Sequence, residues 1–189
     1  MESRTGPPVF GLRLICTDPF RVFFPLGILC GLIGSSHWFL YRIGWIVQYS
    51  GYYHGLIQIQ GFQTCFIVWF LMTALPRFLE VRGPRPYEVG LSLVFILVGM
   101  FGLMIQDARI AEAGFVALFL HLIVFAGGRF LRRKDSPPEE FVFVAFGLLF
   151  GLAGSLMLLY PPTLQAGRAV LEQGMPISWT IRRSRLRTR

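Results

Sequence analysis

The chain has 189 residues, 54% of them hydrophobic and 15% charged, with 19 Phe and a positive mean hydropathy of +0.58. That balance excludes an ordinary soluble domain and points to an all-α polytopic membrane protein, a bundle of about five transmembrane helices. The net charge of +8 sits mostly on Arg residues in short loops and at the end of the chain, where Arg marks topology, so no nucleic-acid partner is expected.

Residues 1–21 carry Pro7-Pro8 and an apolar run interrupted by Arg13. The run is too short to span, so an N-terminal interfacial segment is expected, and no cleavage site marks it as a signal peptide. The first span is predicted over 22–41, with Gly27, Gly31 and Ser35 recurring every four residues. That small-xxx-small spacing lets two membrane helices approach closely. The second span, 53–76, ends at Pro76 and the charged loop 77–87. The third covers 88–106, and Asp107-Ala108-Arg109 leaves room only for a tight hairpin into the fourth, 109–130. Pro137-Pro138-Glu139-Glu140 reads as a loop and a helix start. The fifth span, 141–160, carries Gly147, Gly151 and Gly154 on another small-residue stripe, and 161–189 reads as a polar, Arg-rich C-terminal tail.

With five spans, one side holds Arg4, Arg13, Arg21, Arg77, Arg82, Arg85, Arg129, Arg132, Arg133 and Lys134, and the opposite loops hold only Arg42 and Arg109. This imbalance predicts a cytoplasmic N-terminus. The Arg-rich tail would then lie outside, against the rule that every loop obeys. The lipid bilayer is the expected partner, with other membrane subunits as further ones.

The second span is chemically distinct. Residues 43–76 contain no charge, yet His54, Gln58, Gly61, Cys65 and Met72 fall within about 40° of one line on a regular helix. Polar groups in an apolar span tend to face protein, a cavity or a ligand. There is no phosphate loop, no pair of carboxylates within a span and no Ser–His–Asp set, so an enzyme is not supported. His54, His121 and His37 are the candidate metal ligands, because a neutral imidazole suits Cu, Zn or haem iron. Helix rise places His37 and His54 at one depth and His121 nearer mid-membrane. Cys65, ~16 Å along the axis from His54, and Met72, ~27 Å away, cannot share its ion. Gln58 and Gln60 are the side chains expected to orient the imidazole. Met100, Met104 and Met157 read as gap-filling packing. Cys16, Cys30 and Cys65 have neither metal-finger nor disulfide-framework spacing. Each histidine is equally well read as a plain interhelical hydrogen-bonding group.

The stretch His54-Gly-Leu-Ile-Gln58-x-x-Gly61-Phe62, followed by Trp69-Phe-Leu-Met-Thr-Ala-Leu-Pro76-Arg77-Phe78, resembles the second helix of the NnrS family. Phe20-Arg21-Val22-Phe23-Phe24, His121-Leu-Ile-Val-Phe, the Arg-Arg-Lys-Asp-Ser-Pro-Pro loop and Gly167-Arg168-Ala-Val-Leu-Glu-Gln-Gly174 are similar to its pattern too. The resemblance implies a protein of the bacterial inner membrane that binds haem or copper and takes part in the nitric oxide stress response. Leu56 and Ile57 stand where better-known members carry a second His and a Glu, so only His54 carries over as a ligand. Such relatives continue beyond the Gly167–Gly174 pattern with further apolar helices, so a truncated or frameshifted copy with a half-built site is expected. The competing reading is a small-solute permease or a structural membrane component without metal.

Overall fold

The structure, a computed structural model, describes residues 18–174 except 137 and 140. The expected interfacial segment up to residue 17, with Cys16, and the Arg-rich end from 175 lie outside the described residues. Five helices among those described are long and apolar enough to cross a membrane: α1 (Phe20–Arg42), α2 (Gly51–Phe78), α3 (Pro86–Met104), α4 (Ala108–Phe130) and α5 (Phe141–Leu158). The described residues contain no strand. In a bilayer core this is the open-chain solution, because a helix satisfies its own backbone hydrogen bonds.

Local chemistry sets the helix ends. The Ser50 hydroxyl accepts from Tyr53 N at the start of α2, and the Asp107 carboxylate accepts from Arg109 N and Ile110 N at the start of α4. Pro86 opens α3, and Glu88 folds back to accept from Arg85 N at 2.6 Å. Gly44, at φ +78°, turns the chain out of α1 in a conformation that costs glycine little. Pro76 does not end α2 as the sequence suggests. It sits buried in the last turns, and the helix runs on to Phe78. Within α2, Ile57–Gln63 is a π-helical stretch, and Thr64 Oγ1 donates to the Ile59 carbonyl at 3.1 Å.

The tightest packing joins α3 and α4. A Cβ at Gly102 would stand 2.2 Å from Ala111 N, and one at Gly114 would stand 2.5 Å from Gly99 N, so backbone lies against backbone. The loops after α2 and α4 meet at one end, where Lys134 N donates to the Leu79 carbonyl. At the other end the Tyr53 hydroxyl donates to the Gln106 carbonyl, 2.8 Å away. The core between the helices is filled by Phe115, Phe119, Leu71, Met72 and Ile96. Large apolar side chains such as Leu32 and Val124 stay exposed on the outside, as on a surface that lipid covers.

The expected tail needs correction over its first part. Pro161–Thr163 forms a 3-10 turn that leads into α6 (Leu164–Ala169), continued by a π turn, Val170–Gly174. This segment lies on α5. Leu171 is fully buried, and a Cβ at Gly154 would stand 2.6 Å from its Cγ. Burying Leu171 opposite a glycine is what holds the segment down.

Candidate functional site

At the end opposite the Arg-rich loops, α1 and α2 bring two imidazoles together. His54 Nδ1 lies 2.7 Å from the Gly34 carbonyl. A carbonyl only accepts, so Nδ1 carries a proton, and in the neutral ring Nε2 then keeps the lone pair. Gly34 makes this possible: a Cβ there would sit 2.8 Å from Gln58 Nε2, so a larger residue would push the α2 side chains away. The Tyr49 ring contacts both histidines, 5.4 Å from the His37 ring and 6.2 Å from the His54 ring. His37 Nε2 is buried without a hydrogen-bond partner among the described residues. His37 and His54 thus both meet the same Tyr49 ring.

Gln58 and Gln60 do not orient the His54 ring. Gln58 Nε2 donates to the Gly31 carbonyl at 3.3 Å and to Ser35 Oγ at 3.0 Å, so it ties α2 to α1. The Gly34 backbone does the orienting, and no sequence pattern marks it. His121 stands apart from the pair. Its Nε2 faces the Glu88 carbonyl at 3.1 Å, close to the Arg-rich end, and its ring meets Phe95 edge-on.

Halfway down the α1–α2 contact the sulfurs gather. Cys30 and Cys65 are both free and buried, and a Cβ at Gly27, one turn from Cys30 on α1, would stand 3.1 Å from Cys65 Cβ. A Cβ at Gly61 would stand 2.5 Å from Met100 Sδ and 3.3 Å from Cys30 Cβ. Cys30 of α1 and Met100 of α3 thus close on one glycine of α2. The sequence had Met100 only as filler, because its neighbours come from other helices.

The opposite face of α2 holds the polar group that sequence reading missed. Gln60 is fully buried, and its Nε2 donates to Glu112 Oε2 at 2.8 Å and to Ser155 Oγ at 3.0 Å. Glu112 and Ser155 are also fully buried, on α4 and α5. Gln60 Oε1, Glu112 Oε1 and the Tyr52 hydroxyl are buried without partners among the described residues. The Arg168 guanidinium lies 5.9 Å from the Tyr52 ring centroid. A single signal could have found this group: an ionisable residue inside a predicted span, since Glu112 lies within 109–130.

The packing glycines take several kinds of contact. A Cβ at Gly27 or Gly31 would meet Phe66 or Phe62 at 2.8 Å, and one at Gly151 would meet Phe119 at 2.5 Å. Gly61 and Gly154 face Met100 and Leu171 as described, and Gly147 is buried on α5.

Among the described residues, no group of three or more His, Cys, Asp or Glu side chains is placed to hold a metal ion. Sites with fewer such groups do fit. An imidazole fixed through Nδ1, with Nε2 free, suits haem iron or copper. The thiol–thioether set suits Cu(I), a soft ion. A family model described as NnrS protein matches residues 15–181. No curated protein and no solved structure matches the chain.

Proposed function

The chain belongs to the NnrS family, and from that premise we propose that it is a haem- or copper-binding membrane protein that takes part in the response to nitric oxide. The observation that carries this reading is the 2.7 Å contact of His54 Nδ1 with the Gly34 carbonyl, which leaves Nε2 free to ligate. His54 would hold the metal, with His37, which meets the same Tyr49 ring, as a second imidazole. Cys30, Cys65 and Met100 would hold a soft copper ion instead of, or beside, the imidazole-bound group. A metal held there would supply a coordination position for a small diatomic ligand. The chain itself sets the tautomer of His54, closes α1 over α2 through Gln58 and excludes water from the sulfurs by burial.

The test is an optical spectrum and a metal analysis of the chain purified in mild detergent. A Soret band or stoichiometric copper is expected, lost on His54→Ala for haem or on Cys65→Ser for Cu(I), and kept on His121→Ala. Neither signal in the wild type would remove the metal reading.

A second reading, a small-solute permease, is favoured by one observation: the Gln60–Glu112–Ser155 group buried between three helices. Intramembrane carboxylates commonly mark ion or solute paths. Solute or proton flux into proteoliposomes that Glu112→Gln abolishes would support it, and metal-free protein without flux would leave neither reading standing.

A further inference from the structure

At the Arg-rich end, a cavity of about 380 Å³ opens between the loop after α2, the start of α3 and the end of α4. Its wall carries Arg82, Arg85, Arg129 and Arg132 against a single carboxylate, Glu88. That carboxylate is already engaged. Arg129 grips it with two nitrogens, at 2.9 and 2.6 Å, and its second oxygen also accepts from Arg85 N. Arg129 is held from below as well, with its guanidinium 3.6 Å over the Phe125 ring. Its Nε is buried and has no partner among the described residues.

The remaining three guanidinium groups are different. Arg82, Arg85 and Arg132 make no side-chain hydrogen bond or salt bridge with the described residues, and all three are exposed. Four Arg against one Glu leave an excess of three positive charges around one hollow, with a fixed ion pair as its floor. Arginines that served topology alone would need no such hollow, because water solvates them singly. Like charges gathered on one concave wall focus their field and concentrate anions there. Guanidinium groups match phosphate in both charge and fork geometry.

The surroundings select among phosphates. Leu91 and Val124 continue the cavity wall down the helices and are exposed, Val124 by 73%. A phosphate at the arginines would therefore have an apolar, lipid-facing track directly beneath it. Basic hollows between transmembrane helices recognise headgroups in this way. We propose that this cavity binds the phosphate headgroup of an anionic membrane lipid, with Arg82, Arg85 and Arg132 as donors, the Arg129–Glu88 pair as the rigid floor, and an acyl chain along Leu91 and Val124.

The full chain, purified in detergent, is titrated with phosphatidylglycerol or phosphatidylcholine, and lipid adducts are read by native mass spectrometry. Phosphatidylglycerol is expected to bind selectively, and Arg82→Ala/Arg132→Ala to weaken it roughly 30-fold, the product of two charge contacts at a membrane surface. Arg42→Ala/Arg109→Ala removes the same charge from the opposite end and should leave binding intact. Arg82→Lys/Arg132→Lys, which keeps the charge and spares the fold, should retain most of it. Equal binding of the two lipids by the wild type, or equal loss in the opposite-end variant, overturns the proposal. Displacement of the lipid by millimolar inorganic phosphate, with phosphate alone stabilising the wild type, overturns the lipid assignment in favour of free phosphate.

Discussion

Helices α1 and α2 have almost the same mean hydropathy in their most apolar windows, 1.5 and 1.4, yet α1 buries 22% of that window and α2 buries 56%. Hydropathy therefore makes both apolar enough to cross a membrane and says nothing about which one is central. Among lipid tails, an apolar side chain gains little by turning inward, so burial follows the groups that need protein: glycines, hydroxyls and amides. α2 has Gln58, Gln60, Gly61 and Thr64 within two turns, and all four find protein neighbours. α1 commits one small-residue stripe to α2 and leaves Ile28, Leu29 and Leu32 exposed.

The comparison breaks first where backbone meets backbone. Gly102→Leu places a side chain on Ala111 N, with nothing flexible to yield, and is expected to abolish the folded protein. Size-exclusion chromatography in detergent checks this, and a monodisperse peak at wild-type yield would refute it.

The next largest effect belongs to the buried amide. Gln60→Leu strips Glu112 and Ser155 of a donor and should destabilise the protein by about 1–3 kcal/mol. Gln60→Leu/Glu112→Leu should recover much of that loss, because it removes the orphaned carboxylate along with its partner. A thermal-melt cycle in detergent measures the coupling. Additive losses would show that the two side chains do not act as a unit.

Smaller effects distinguish ring contacts from backbone contacts. Gly31→Leu and Gly151→Leu press on the Phe62 and Phe119 rings, which can tilt, so about 1–3 kcal/mol is expected for each. The smallest effect is expected on the lipid face. Leu32→Phe and Leu149→Phe should stay within about 0.5 kcal/mol of wild type. If the exposed and the glycine positions tolerate substitution equally in the same melt, the contrast between α1 and α2 is lost.

Much of the candidate site was legible residue by residue. His54 stood out because a polar ring in an uncharged run needs a reason. Glu112 was legible in principle, as a carboxylate inside an apolar span, but its partner Gln60 lies on another helix. The inward packing of residues 164–174 left a fainter trace, Leu164 and Leu171 seven apart in a polar stretch. Gly34 left none, since its part is played by a carbonyl that every residue possesses.

The sequence by itself determined the five long apolar helices among the described residues, the all-helical class and the family, because apolar run length, backbone self-satisfaction in lipid and the His54–Phe78 pattern are all written along one strand of chain. Only the tertiary structure decided which helices touch. It set Gln60 against Glu112 and Ser155, Cys30 against Cys65 and Met100, and Arg129 against Glu88, pairs separated by 35 to 95 positions. The physical reason is that helix association in lipid depends on close backbone approach and on a few polar contacts. Both are properties of two surfaces at once, and a single sequence displays each surface without its partner.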